Sequence, residues 1–243
     1  MDIQRFTDRF DRLMNEGDFS EAERHLDYWL KEAEANGDEP GRFTVLNEMT
    51  GFYRMRQEKT KAYEAVDKLM TCVSKKPQDN SIGKATACLN CATVYNSFGE
   101  PEKAIKLYKR AEEVYKAELN GNDMRLAGLY NNLALALMAA DRLSEAGEYF
   151  ENALSVLNEN GNAYNELAIT YLNMADLEEK LKGPEEGEPV ILELLDKAVE
   201  SLEEAYKGDF NAFKQTAEKC IPVFKHYGYF MAANTLKERI EEM

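Results

Sequence analysis

The sequence predicts an all-α solenoid in which about six antiparallel helix hairpins stack side by side. Three observations predict it. Small and aromatic residues recur at an almost fixed offset, apolar residues recur at helical spacing, and glycine or proline clusters separate the helical segments at regular intervals. A fixed period of this size is typical of arrays whose units bury their apolar faces only against their neighbours.

The clearest copy of the repeated pattern lies in the middle of the chain and consists of Ala92, Tyr95, Gly99, Ala104, Tyr108 and Ala111. A second copy, 42 residues later, consists of Ala134, Leu137, Asp141, Ala146, Phe150 and Ala153. A looser copy, 42 residues earlier, consists of Thr50, Tyr53, Gln57, Ala62, Val66 and Leu69. Three copies in register predict three consecutive hairpins of one design.

The breaks between helical segments predict where each hairpin lies. We expect one repeat domain over residues 1–243, with hairpins at about 3–36, 42–76, 82–119, 123–160, 161–207 and 209–242. Loops are expected at Gly37–Gly41 and Pro77–Ser81, with Ser81 as a helix N-cap. The last hairpin is expected to cap the array.

The fifth hairpin departs from the pattern. The first helix of this hairpin fits an offset of 34 residues rather than 42. An acidic segment, Gly183–Pro189, then contains two glycines and two prolines. We therefore expect a rim insertion over residues 176–190, with Gly183–Pro189 as a loop.

The charge balance limits the classes of partner. The 243 residues carry 45 acidic and 30 basic side chains, for a formal net charge of −15. Because no basic stripe can replace the counterions on phosphates, neither nucleic acid nor an anionic membrane is an expected partner. The N-terminus lacks the apolar segment of a secretory signal, and no run approaches the roughly 18 apolar residues of a membrane span. We expect a cytoplasmic protein.

The sequence indicates no site for catalysis, for a metal or for a cofactor. Cys88 and Cys91 form a CxxC pair, but both fall at packing positions of a helix, and no second pair completes a zinc site. The two histidines, His25 and His226, lie in opposite terminal hairpins. No glycine-rich loop of the kind that holds phosphates is present. We therefore expect no enzymatic activity.

The repeated residues resemble the tetratricopeptide repeat family. The resemblance lies in the order small, aromatic, glycine, alanine, aromatic, alanine, and it covers nearly the whole chain, most strongly in the third and fourth hairpins. The usual family period is 34 residues. The 42-residue spacing is similar to that of the longer-helix subgroup that includes the kinesin light chains. The resemblance implies a right-handed superhelix whose first helices line a concave groove for an extended peptide or a partner helix.

Asparagines recur at the expected groove positions, between the packing residues of each first helix. They are Asn47, Asn90, Asn131, Asn132, Asn165 and Asn173. A carboxamide has both a donor and an acceptor, so it can pair with a peptide backbone whatever the side chains are. The resemblance implies that such asparagines hold the backbone of a ligand. The alternative is that they bond adjacent helices to one another.

Apolar residues are expected about one turn further along the groove, namely Leu135, Met138, Ile169 and Leu172. Exposed apolar patches often mark binding sites, although the acidic insertion or the C-terminal helices can equally cover this one. Arg54 is the one cation at a groove position, so the family's carboxylate clamp, which needs clustered Lys and Arg, is not expected.

These features predict a non-enzymatic module that holds an extended segment of a protein or peptide partner by carboxamides and apolar anchors. Two alternatives remain. One is a self-association scaffold, in which an end of the array or the insertion forms a homo-oligomeric contact. The other is a peptide-sensing regulatory protein of a bacterial signalling system.

Overall fold

The computed structural model describes residues 1–74 and 81–241, and within them it contains eleven α-helices and no strand. The helices are α1 (Ile3–Glu16), α2 (Phe19–Ala35), α3 (Glu39–Met55), α4 (Lys59–Ser74), α5 (Ile82–Ser97), α6 (Pro101–Glu118), α7 (Met124–Ala139), α8 (Leu143–Glu159), α9 (Tyr164–Tyr206), α10 (Phe210–His226) and α11 (Phe230–Glu241).

Short polar side chains define where many of the helices begin. Aspartates accept hydrogen bonds from first-turn N–H groups at the N-termini of α1, α2, α3, α7 and α10. Such a cap satisfies a backbone donor that has no partner within the helix. The Ser81 hydroxyl accepts from the backbone N–H of Lys84 at 3.4 Å, which confirms the predicted N-cap of α5.

The expected loop at Gly37–Gly41 is shorter in the structure, because α3 begins at Glu39. Asp38 caps this helix by accepting from the Gly41 N–H at 2.9 Å. Pro40 lies in the first turn, where a missing N–H breaks no intrahelical bond. A proline and a glycine here mark a helix start rather than a loop. The expected loop residues 77–80 lie outside the described residues.

The chain forms two compact units, Met1–Val114 and Tyr115–Met243. In the first unit, α1 packs on α2, α2 on α3, α3 on α4, and α4 on α5. In the second, the same succession runs from α7 to α11. In each unit the first helices of successive hairpins also meet, α3 with α5 and α7 with α9. Each unit is therefore a stack of helix hairpins.

The residues of the repeated pattern form the core of these hairpins. Ala92, Ala104, Ala134 and Ala146 are fully buried, and so is Phe150. Because an alanine at these positions adds little bulk, two helices can approach closely, and the aromatic ring fills the space beside them. The pattern seen in the sequence is thus the packing pattern of the fold.

The turns of four hairpins share one unusual backbone conformation. Gln57, Gly99, Asp141 and Gly183 all have positive φ, at 58°, 79°, 59° and 80°. Each lies 42 residues after the one before it. A left-handed residue is required at each turn, and only two of the four are glycines. The 42-residue period therefore continues through the fifth hairpin.

The expected rim insertion at residues 176–190 and the loop at Gly183–Pro189 are wrong. Helix α9 breaks only at Gly183, where φ is 80° and ψ is 168°, and both flanking segments are helical. We call residues 164–182 the first arm of α9 and residues 184–206 the second arm. Pro184 opens the second arm, at a position that needs no N–H partner.

Gly187 shows why the segment holds a second glycine. A Cβ at this position would lie 3.4 Å from the backbone oxygen of Glu178 and 3.3 Å from the Ile191 side chain. The two arms approach closely here, as the alanines of the other hairpins allow elsewhere. The second glycine therefore serves packing and does not mark a loop.

The cysteines and the one buried histidine lie in the core. All four cysteines are buried thiols, and burial raises the pKa of Cys91 to about 12. Residues 1–74 and 81–241 contain no group of three His, Cys, Asp or Glu side chains that could hold a metal ion. Within the same residues, no helix combines the length and the apolar character needed to cross a bilayer.

Candidate functional site

The predicted binding residues lie on two surfaces, one in each unit. The first-helix face of unit 1 is the surface of α3 and α5 that carries Asn47, Arg54, Asn90 and Thr93. The first-helix face of unit 2 is the surface of α7 and the first arm of α9 that carries Asn131, Asn132, Leu135, Asn165, Ile169 and Asn173. All of these side chains are half-buried. Half-burial leaves part of each side chain accessible to a partner.

Asn47 and Asn90 join the two helices of the unit 1 face. The Asn90 Nδ2 donates to the Asn47 Oδ1 at 3.0 Å. This bond fixes the orientation of both amides, since an amide that donates with its nitrogen must present its oxygen elsewhere. The helix-bonding interpretation of the asparagines therefore applies to this pair.

Asn131 makes a comparable bond in unit 2, but only with one end of its amide. Its Nδ2 donates to Thr170 Oγ1 at 2.7 Å, and that hydroxyl donates in turn to the Glu166 carbonyl at 2.7 Å. The Asn131 Oδ1 is buried and accepts no hydrogen bond from the described residues. Asn131 thus bonds a neighbouring helix and also keeps a buried acceptor without a donor.

Asn165 has the same deficit on α9. Its Oδ1 is buried and lacks a donor within the described residues. Buried polar atoms in folded proteins are almost always hydrogen-bonded, so each exception requires an explanation. On the unit 2 face, two carboxamide oxygens of this kind occur on adjacent first helices, α7 and α9.

The expected exposed apolar patch is half wrong. Met138 and Leu172 are only 8% and 3% exposed, so they belong to the core and offer no surface to a ligand. Leu172 packs in a cluster with Ile191, Leu194 and Leu195 of the second arm. The alternative of a covered patch therefore applies to Leu172. Leu135 and Ile169 are half-buried and remain on the face.

Arg54 lies in the last turn of α3, on the unit 1 face. Its neighbours include two hydroxyl groups of the third hairpin, Thr93 Oγ1 and Tyr108 Oη, which are 2.9 Å apart. Burial raises the pKa of Tyr108 to about 12, while the Thr93 hydrogen bond and the positive charge of Arg54 lower it. The guanidinium therefore acts electrostatically on this hydroxyl pair.

A carboxylate on the unit 1 face has a perturbed pKa. Burial raises the pKa of Glu48, and the negative charge of Asp11 on α1 raises it further, while a hydrogen bond with Asn47 lowers it. The α1 side of this face is therefore acidic. The two faces thus differ in chemistry, since the predicted residues of unit 2 are amides and apolar groups.

Thr170 is a site residue that the repeat pattern did not reveal. It is fully buried on the first arm and holds the Asn131 amide in place. A threonine on a helix can bond a carbonyl one turn earlier and still offer its oxygen to a neighbour. A threonine among packing residues, opposite an asparagine of the preceding first helix, is the signal that could have identified it.

Comparisons with known proteins agree with this architecture. The sequence pattern of the tetratricopeptide repeat matches residues 126–159, which include most of α7 and all of α8. The sequence matches none of the curated proteins with which it was compared.

Solved structures with the same fold include BtubC (BKLC) from P. vanneervenii, which superposes with a TM-score of 0.57 at 18% identity over 93% of this chain and 89% of that one. A Rap protein complexed with competence and sporulation factor has a TM-score of 0.63 at 14% identity, over 96% of this chain and 72% of that one. A Podosopora anserina protein described as a putative kinesin light chain, with nearly identical TPR-like repeats, has a TM-score of 0.52 at 15% identity, over 83% and 94%.

The resemblance to the tetratricopeptide repeat family is confirmed. The all-α helical-repeat fold is confirmed with it. Because the identities are below 20%, the structural likeness concerns the fold and not the residues of any one binding site. Tetratricopeptide repeats form protein-interaction modules, and this chain is a repeat module of that class.

Proposed function

We propose that this tetratricopeptide-repeat chain is a non-enzymatic binding module. It holds an extended segment of a protein or peptide partner on the first-helix faces of its two units. The observation that carries the proposal is the pair of buried, donorless carboxamide oxygens of Asn131 and Asn165 on adjacent helices.

The physical reason is the cost of an unsatisfied buried acceptor. Leaving such a group without a donor costs about 1–3 kcal/mol. An extended peptide carries backbone N–H groups at regular spacing, and half of them point to one side of the strand. N–H groups of a bound segment can therefore supply the donors that Asn131 and Asn165 lack, whatever the sequence of the partner.

Apolar side chains of the partner have a place beside these amides. Leu135 on α7 and Ile169 on α9 are half-buried on the same face. Burying the remaining apolar surface of such a residue contributes about 25 cal/mol per Å². The unit 2 face therefore combines backbone recognition by amides with apolar anchoring.

The fold and the surface chemistry support the remaining parts of the proposal. The Rap protein of similar fold is complexed with competence and sporulation factor, which supports a partner-binding role for such a repeat stack. A net charge of −15 supports a protein or peptide partner in preference to nucleic acid or an anionic membrane. Four buried thiols support a cytoplasmic location.

The test starts from a displayed library of random 12-residue peptides selected on the wild-type protein. We expect the selected peptides to bind Asn165→Ala at least tenfold more weakly, by isothermal calorimetry. The same substitution should raise the free energy of unfolding, because it removes a buried acceptor without a donor and introduces a better helix former. A binding site that is improved in stability and weakened in affinity by one substitution is distinct from a structural position.

Asn234→Ala is the matched control. Asn234 is an exposed asparagine of α11. It should gain only the few tenths of a kcal/mol expected from helix propensity and should leave peptide affinity unchanged. Failure to select any binding peptide would contradict the proposed function, and so would full affinity in Asn165→Ala.

A further inference from the structure

We infer that the segment bound by the first-helix face of unit 1 carries an acidic side chain, and that Arg54 is the residue that selects it. This inference rests on the proposed function and adds the chemistry of one partner side chain. It concerns a different unit from the asparagines that carry the proposed function.

The first step is the state of the Arg54 guanidinium. Within residues 1–74 and 81–241 it makes no hydrogen bond or ion pair, although the chain has 45 acidic residues. By contrast, Arg56, two positions later, lies 3.5 Å from Glu58 and over the Phe19 ring at 5.2 Å. Arg54 is half-buried, so it has lost part of its hydration without gaining a partner. A ligand carboxylate would supply that partner.

The second step is the surroundings of Arg54. The group that its charge acts upon is the Tyr108 hydroxyl, which is hydrogen-bonded to Thr93 and lies in a side chain only 1% exposed. These neighbours are neutral, so they do not cancel the positive charge. Thr93 is half-buried on α5, on the same face. Its hydroxyl can reorient to donate a hydrogen bond to an anion held by the guanidinium.

The third step is the choice of anion. A guanidinium presents two parallel N–H donors that match the two oxygens of a carboxylate. A phosphate group carries nearly twice the charge and is usually bound by several arginines together. Arg54 is the one cation that the sequence places at a groove position of this face. An aspartate or glutamate side chain is therefore the anion that fits best.

The acidic end of the same face does not oppose this assignment. Glu48 lies six residues before Arg54 on α3, which corresponds to about 9 Å along the helix axis. At physiological salt that separation is about one Debye length. Repulsion between Glu48 and a carboxylate at Arg54 is therefore weak compared with a direct charge-assisted hydrogen bond.

A purely structural role for Arg54 makes a different prediction. Arg54 is in the last turn of α3, where a cation interacts favourably with the helix dipole. Loss of that interaction would change the stability of the protein and would affect peptides of every charge equally. Selection of an acidic side chain would instead appear as a dependence of affinity on one position of the peptide.

The experiment compares peptides selected from the random 12-residue library on the wild-type protein. We expect an aspartate or glutamate to recur at one position. Its replacement by alanine should weaken binding to the wild type about tenfold and should leave binding to Arg54→Gln unchanged. Arg54→Glu should prefer peptides with lysine at that position. Arg56→Gln is the matched control and should retain the wild-type preference.

The outcomes separate the inference from the proposed function. Selected peptides without a recurring acidic position would overturn the inference and leave the proposed function intact. An acidic preference that persists in Arg54→Gln would overturn it as well. If no peptide is selected at all, the proposed function fails, and the inference fails with it. Circular dichroism and chemical denaturation of each variant confirm that only folded proteins are compared.

Discussion

His25 is the buried histidine of the first hairpin, and its environment favours the neutral ring. The side chain is 8% exposed, its ring stacks on Phe6 at 5.4 Å, and its Nε2 lies 3.0 Å from the Phe6 carbonyl oxygen. Because a carbonyl only accepts, the Nε2 carries the proton and donates. Burial lowers the pKa of His25, which outweighs the opposite effect of this hydrogen bond.

This environment predicts a loss of stability in mild acid. The pKa of His25 is lower in the folded state than in the unfolded chain, so the unfolded chain binds more protons as the pH falls. The contribution is fully present above the unfolded pKa of about 6.5 and is lost below it. We expect the free energy of unfolding to fall between pH 7.5 and 5.5, and to fall less in His25→Gln.

His226→Gln is the control for this measurement, because His226 belongs to unit 2 and its exposed ring lies 3.3 Å from Glu179. It should show the full wild-type decrease. Glu48, whose raised pKa acts in the opposite direction, is common to all three proteins and cancels in the comparison. Equal decreases in the wild type and His25→Gln would show that His25 does not titrate on unfolding in this range.

At the same residue scale, the sequence predicted the direction of the site side chains better than their burial. Helical spacing places Ile169 and Leu172 on one side of α9, but it does not show which neighbour packs there. The second arm covers Leu172 and leaves Ile169 half-buried. That distinction depends on where the chain turns back, at Gly183, where the composition predicts a loop. Burial at the site therefore depended on a turn elsewhere in the chain.

At the scale of helices and turns, Gly183 carries the sharpest reversal in the chain. Its φ of 80° and ψ of 168° lie in a region that is essentially restricted to glycine. One residue connects the two arms of α9, whereas three residues, 140–142, connect α7 to α8. The prolines and acidic residues beyond Gly183 resemble a loop in sequence, but Pro184 only opens a helix.

Gly183→Ala is therefore expected to lower the free energy of unfolding by about 1–3 kcal/mol. No atom lies within 4 Å of the Cβ that an alanine would add at this position, so the cost is one of backbone conformation alone. Urea denaturation measures it. The midpoint should fall without a change in helical content at zero denaturant.

Gly128→Ala gives a control of opposite sign. Gly128 is exposed within α7, has no positive φ, and has no atom within 4 Å of an added Cβ. Alanine there should raise the free energy of unfolding by about 0.5–1 kcal/mol, because a glycine in a helix loses more backbone entropy on folding. If both variants changed stability in the same direction, the backbone argument at Gly183 would be wrong.

A second feature of the hairpins was present in the sequence but not recognised. The Lys61 ammonium lies over the Tyr53 ring at 5.4 Å, and the Lys103 ammonium lies over the Tyr95 ring at 5.3 Å. The two pairs are 42 residues apart. An exposed cation–π contact contributes about 0.5–1 kcal/mol. The aromatic of the repeat therefore serves twice, once in packing and once beneath a lysine.

At the scale of the whole chain, the period was predictable because it is enforced by packing. Ala92 and Ala134 recur because each hairpin must meet its neighbour at the same depth. The fifth hairpin obscured the period, since its close approach uses Gly187 and its arms are longer than the other helices. A register read from side-chain types shifts at such a place. A register read from the positive-φ turns does not, and only the structure shows those turns.

Net charge provides a prediction for the molecule as a whole. The chain carries a formal charge of −15, and its calculated isoelectric point is about 4.7. Like charges of this excess repel one another more in the compact state than in the expanded unfolded chain. Most of the ion pairs have partners that are substantially exposed, such as Lys197 with Glu193, so each contributes at most about 1 kcal/mol. Repulsion should therefore dominate the response to salt at neutral pH.

We expect sodium chloride to raise the free energy of unfolding at pH 7.5 between 10 and 150 mM. Over this range the Debye length falls from about 30 Å to about 8 Å, so repulsion across the molecule is screened while contacts of about 3 Å are screened much less. Chloride is preferred to sulfate, because sulfate also strengthens apolar burial. The control is the same titration at pH 4.7, where the net charge is close to zero and little stabilisation should remain. Destabilisation by salt at pH 7.5 would instead mean that the ion pairs outweigh the repulsion.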